Sequence, residues 1–163
     1  MNRALPVRRG RQGRGDSGQV GGIEALPFGL MIFLVGVLII INVWAVVDAK
    51  LAVSSAAKES VRAFVEAPSA NAAAAQAQSA ATEAIVAFGR NSAHMTLTPV
   101  GPLVFQRCAR VTFQVAYTVP LISIPFIGGF GSGVTVTSTH SEIVDPFRDG
   151  VPGNVDYQSG ACV

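Results

Sequence analysis

Histidine and cysteine, at two residues each in a chain of 163, are too scarce for most metal chemistry. Neither a CxxC pair nor a Cys/His cluster occurs, so structural zinc is not expected. The chain also lacks a phosphate-binding glycine loop, a GxSxG elbow and an HExxH helix. His140 stands between Thr139 and Ser141, and His94 opens an alternating segment. A lone strand histidine without a paired acid and nucleophile reads as a polar surface residue rather than a catalyst. Glu142 and Asp145 follow His140 closely, but no second histidine completes a metal spacing. The expectation is a protein that is not an enzyme and has no cofactor.

Charge is scarce as well, at 13% of residues, and it is missing altogether from Ala25 to Val47. That run is bracketed by Glu24 and Asp48 and rich in Leu, Ile, Val and Phe on every side. As an α-helix its 23 residues would measure about 34 Å, enough to cross a hydrocarbon core of about 30 Å with some tilt. A helix with no polar face belongs in lipid or deep in a large core. A chain this short has no core that could surround it, so residues 25–47 are predicted to be a transmembrane helix.

The charges that do exist are lopsided. Arg3, Arg8, Arg9, Arg11 and Arg14 precede the run, opposed there by Asp16, whereas acids slightly outnumber bases after Val47. This is the positive-inside pattern: N-terminus cytoplasmic, C-terminal part extracytoplasmic. A nucleic-acid patch is the other reading of the arginines, but beside a membrane span topology explains them and no nucleic-acid partner is expected. Residues 1–17 have almost nothing apolar to bury and are expected to be a disordered basic leader. The Arg8-Arg9 pair lacks the close hydrophobic run of a twin-arginine signal. A cleavable signal peptide fits poorly too, because its apolar region runs only about 7–15 residues.

Beyond Val47 the helical character continues. Leu51, Ser54, Ala57, Val61 and Phe64 form a three-and-four-spaced stripe, and Ala67-Pro68-Ser69 ends it. One helix from about Ala25 to about Glu66 is predicted, with Pro27 in its first turn. A second, alanine-rich helix follows over NAAAAQAQSAATEAIVAFGR, with Ala74, Ala77, Ala81, Ile85 and Phe88 as its apolar stripe and Gly89 as its stop. From Met95 the period becomes two. RVTFQVAYTV is the clearest half-buried strand, with Val111, Phe113, Val115, Tyr117 and Val119 on one face. VTVTSTHSEIV starts as a strand at Val134 and loses phase before Ile143, at a bulge or the strand's end. Between them PLISIPFIGGFGSG is an apolar loop, and a membrane surface, a neighbouring subunit or the protein's own helix would cover it.

The fold class expected is therefore α+β: a long N-terminal transmembrane helix continuing into a small extracytoplasmic head with a second helix and a short antiparallel sheet. Three parts follow: a leader over 1–17, the long helix over 18–67 and the head over 68–163. Cys108 and Cys162 both lie on the exported side, where an even count suggests a disulfide. Cys108 shares strand parity with Arg110, Thr112 and Gln114, which would turn it away from the apolar face.

The stretch GQVGGIEALPFGLMIFLVGVLIIINVWAVVDAKLAVSSAAKESVRAFVEA resembles the type IV pilin group, and in detail it is similar to TadE-like (TadE/TadG) pilus-assembly pseudopilins. A Gly-small-small-Glu lead-in, an apolar helix and an Ala-rich stretch ending in AAKESVRAF carry the resemblance, which covers roughly residues 15–67. RVTFQVAYTVPL and IVDPFRDG are similar, more weakly, to the heads of such proteins. The resemblance implies a minor pilin or assembly factor of a tight-adherence (Tad) pilus or related secretion system in the inner membrane, oligomeric or built into a surface pilus. Its implied partners are other pilins and pseudopilins, inner-membrane assembly proteins and a prepilin peptidase. Cleavage after Gly18 would leave Gln19 first and Glu24 sixth, where the family's acid usually stands fifth; Gly21 or Gly22 would put it third or second. Glu24 is the residue implied in helix assembly, and marking the helix start is its simpler role. A membrane-tethered sensor or ligand-binding domain, with a pocket near PFIGGFG, is the alternative from another class.

Overall fold

A computed structural model of the protein describes residues 21–123, 133–153 and 162, of which 21–24 by their backbone alone. Gly18 and Gln19 fall outside these residues, as do the side chain of Glu24, the leader 1–17 and most of the apolar loop. The chain forms two compact units, Met1–Val37 and Leu38–Val163. Helix α1 spans Gly21–Glu66 and α2 spans Ala70–Ala87. A single 3-10 turn (Ser92–His94) leads into strands β1 (Met95–Pro99), β2 (Arg110–Val119) and β3 (Val134–Ile143). The sheet is antiparallel in the order β1-β2-β3. The α+β class expected from the sequence is the class observed, and one helix is long and apolar enough to cross a membrane.

Helix α1 begins at Gly21, four residues before the expected start, so Pro27 lies inside the helix rather than in its first turn. Its end is where Pro68 requires it. Helix α2 starts from an extended Ser69, whose carbonyl accepts from the Ala72 and Ala73 amides. It closes at Gly89, whose φ of +70° is a conformation that costs glycine little.

In the Leu38–Val163 unit, helices and sheet share two apolar clusters. Ala49, Ala52, Val53, Ala56 and Ala57 of α1 meet Ala81 and Ile85 of α2 and Val115, Tyr117, Val119 and Val136 of the sheet. A second cluster joins Val61, Phe64 and Ala67 to Ala73, Ala77, Val111 and Phe113. Phe64 meets Phe105 and Phe113 edge-on, with ring centroids 5.9 and 5.6 Å apart, the arrangement the ring quadrupoles favour. Strand β2 alternates as expected, with Val111, Phe113, Val115, Tyr117 and Val119 inward.

The helix stripes are seen in part: Ala57, Val61 and Phe64 of α1 and Ala77, Ala81 and Ile85 of α2 are buried as expected, and the stripes shift at their ends. Leu51 stays 58% exposed, while Ala52, Val53, Ala56, Ala57 and Ser60 are buried. On α2, Ala73 is buried in place of Ala74, and Phe88 is exposed. Small side chains let the surfaces approach closely, so these faces are chosen by fit rather than by hydrophobicity. The β2–β3 ladder runs unbroken from Arg110↔Ile143 to Val119↔Val134, so β3 has neither the expected bulge nor an end before Ile143. Its inward face turns polar instead, with Ser138, His140 and Glu142 opposite Val115, Phe113 and Val111.

Candidate functional site

Three polar devices tie α1 to the rest of the Leu38–Val163 unit. The first is Asn42, inside the charge-free run. Its side chain is buried, and both ends of its amide engage one backbone unit 80 residues away. Nδ2 donates to the Ile122 carbonyl at 3.0 Å, and the Ile122 N–H donates to Oδ1 at 2.9 Å. Beside this clamp lies a cleft of about 340 Å³ lined by Ile39, Val43, Val46, Val47, Leu121 and Val134. Asn42 borders it as well, but its polar atoms are engaged by Ile122.

The second device sits where charge resumes. Asp48 accepts from Arg90 Nη2 at 2.6 Å and Nε at 3.2 Å, and the same Nη2 donates to the Ala45 carbonyl at 2.8 Å. The guanidinium lies 5.5 Å from the Tyr117 ring centroid, within cation–π range. The side chain of Arg90 is mostly shielded from solvent, which reduces screening of the pair. One turn's reach away, Lys50 Nζ donates to the Thr137 carbonyl on β3, placing a lysine against the sheet's edge.

The third device closes the far end of α1. Arg148 donates to the carbonyls of Val65, Glu66 and Ala67, the last two at 2.7 and 2.5 Å. These are carbonyls that a helix end leaves without partners, and a cation also suits the helix's negative pole. Arg148 is presented by the IVDPFRDG turn, where the Phe147 N–H donates to Asp145 Oδ1 at 2.8 Å. The guanidinium also stacks over Phe105 at 5.7 Å. On the outer surface Arg62 is held above its ordinary pKa, chiefly by its hydrogen bond to Glu66 and then by the charges of Glu66 and Glu59.

Cys108 and Cys162 are joined in a disulfide with Cα atoms 5.0 Å apart. The strand-parity argument for Cys108 does not apply, because β2 starts only at Arg110 and Cys108 lies in the preceding turn with φ +63°. Its N–H donates to the Val144 carbonyl and the Arg107 N–H donates to the Pro152 carbonyl, so the turn before β2 is held to these two residues and the bridge fixes Cys162 beside it.

The two histidines do not come together. His94 meets the Tyr117 ring edge at 6.1 Å, and His140 Nε2 lies 3.6 Å from Glu142 Oε1. Among the described residues no group of three potential ligands is suited to a metal ion. Sequence reasoning named Glu24 and the cysteines but missed Asn42, Arg90 and Arg148. The signal for Asn42 was in view: it is the single amide in an otherwise apolar run. No protein-family model, curated protein or solved structure matches the chain.

Proposed function

We propose that the protein is a single-pass, membrane-anchored pilin-like assembly protein, with residues 25–47 in the inner membrane, the N-terminus cytoplasmic and the head extracytoplasmic. It works as a minor pilin, pseudopilin or assembly factor of a Tad-type pilus, through helix packing and head contacts rather than catalysis. One observation carries the reading: none of residues 25–41, the most apolar part of α1, is buried, whereas the same helix supplies the core of the head from Ala49 onward. An apolar helix exposed on every side requires lipid or other apolar helices around it. Both surroundings are supplied to a pilin-like helix, first in the membrane and then in an assembly.

The sensor alternative gains little from the cleft beside Ile122, since its one polar side chain is already paired with backbone. Glu24 is where the assembly reading is tested. A carboxylate at the mouth of an apolar helix is costly unless it pairs with a donor on a neighbour. Glu24→Gln should leave membrane insertion intact while weakening crosslinks to partner pilins and lowering pilus number. Normal crosslinks and piliation in that variant would count against an assembly role for Glu24, and mass spectrometry of the mature N-terminus would show whether Gln19 is the first residue.

A further inference from the structure

The head starts below the level at which the apolar run ends. Asn42 is six residues before Asp48, about 9 Å along the helix at 1.5 Å per residue. A run of about 34 Å exceeds a hydrocarbon core of about 30 Å by only a few ångströms, so Asn42 falls inside the core if residues 25–47 span it. The backbone of Ile122, clamped to Asn42 at both its N–H and its carbonyl, is drawn to the same depth. Non-helical backbone is tolerated there only when protein satisfies its polar groups. Asn42 supplies that for Ile122.

Other observations point the same way. The cleft beside the clamp is lined by aliphatic side chains of Ile39, Val43, Val46, Val47, Leu121 and Val134. Trp44, two residues from Asn42, is 71% exposed, and tryptophan concentrates at membrane–water interfaces. At the connector's return Gly133 lies close against the end of β2, where a Cβ would stand 2.3 Å from the Val119 carbonyl oxygen. The sequence between these anchors, SIPFIGGFGS, has no charge.

We infer that the base of the head, at Leu121, Ile122 and Val134 beside α1 residues 39–47, is a second membrane-contacting element. It is immersed in the leaflet on the head's side, with acyl chains filling the cleft. The inference rests on reading residues 25–47 as a span. It goes beyond that reading, in which the chain leaves the membrane once, at Val47. Immersion would set the head's depth and its rotation about α1, which a free-standing head would not have.

The chain's single tryptophan makes the two claims separable. Full-length protein and a Trp44→Phe/Ile122→Trp variant are reconstituted in phosphatidylcholine–phosphatidylglycerol vesicles, and emission is quenched by chain-brominated lipid or aqueous acrylamide. A cooperative loss of the near-UV circular dichroism signal in denaturant confirms that each head is folded, and Trp44→Phe/Leu121→Trp serves if the first variant fails this check. Immersion predicts that brominated lipid removes most of the emission in both proteins while acrylamide removes little. Lipid quenching of Trp44 with acrylamide quenching of the Ile122→Trp variant would overturn the inference and leave the span intact. Acrylamide quenching of both with no quenching by brominated lipid would overturn the span and the inference together. Protection of the Ile122→Trp variant from both quenchers would mean that protein, such as a second copy of the chain, covers this site, and would overturn it as well. Adding Asn42→Leu should shift the Ile122→Trp emission from lipid to acrylamide quenching while the protein still floats with the vesicles. Unchanged lipid quenching there would remove the role assigned to Asn42.

Discussion

Two stretches of the same helix obey opposite rules. From Ala25 to Ile41, α1 carries Leu, Ile, Phe and Val on every face, and none of these residues is buried. From Ala49 to Glu66 the sequence is alanine, serine and charge with a few larger side chains, yet Ala49, Ala52, Val53, Ala56, Ala57, Ser60, Val61 and Phe64 are all buried. In water the more apolar stretch would be covered first. The reversal fits the proposed span, since lipid rewards apolar surface everywhere whereas a protein core rewards shape.

Truncating one aromatic in each stretch gives the sharpest contrast. Phe64, 3% exposed and wedged between two other rings, should cost about 3–5 kcal/mol of head stability when changed to alanine. Phe33 is 65% exposed, and Phe33→Ala should leave head unfolding unchanged. Denaturant unfolding of the head in detergent, followed by near-UV circular dichroism, measures both. A comparable loss for Phe33→Ala would erase the distinction between the stretches.

Reducing the disulfide probes the head alone. Cys108 and Cys162 are 54 residues apart, and a loop of that length corresponds to about 4 kcal/mol in the chain-entropy model. Cys108→Ser/Cys162→Ser should therefore lower the head's unfolding midpoint strongly without altering membrane flotation. Loss of flotation would mean that anchoring depends on the head.

Arg148→Met removes the donor for the last carbonyls of α1 and should cost about 1.5–3 kcal/mol, read as a lower midpoint and faster amide exchange near Val65 and Glu66. Arg148→Lys should recover only part, since a point charge cannot reach three carbonyls in the same way. A smaller effect comes from filling the small-residue face. Ala57→Leu should destabilise the head by about 1–3 kcal/mol by overpacking, while Leu51→Ala, on the exposed side, should change its stability little.

Much of this architecture was legible in the sequence because it depends on local periodicity. The alternation in RVTFQVAYTV places five residues inward, and Pro68 and Gly89 end the two helices. What escaped depends on partners distant in the chain. Leu51 was expected inside on hydrophobicity, but the tight approach of α1, α2 and the sheet selects Ala52 and Ala56 instead. Cys108 was assigned a strand parity that ends two residues away, at Arg110. The partnership of Asn42 with Ile122 spans 80 residues, and that of Arg148 with Val65 spans 83. No local pattern encodes either one. Gly18, Gln19 and the Glu24 side chain lie outside the described residues, so the leader-processing and helix-assembly expectations stand as they were.

The central claim is that one helix serves lipid along its first half and the head's core along its second. Paired reporter fusions at the C-terminus, alkaline phosphatase and β-galactosidase, test it most directly in intact bacteria with fractionation. A span with the head outside the cytoplasm gives membrane-bound protein with active phosphatase and inactive galactosidase. Active galactosidase, or protein recovered in the soluble fraction with α1 intact, would contradict it.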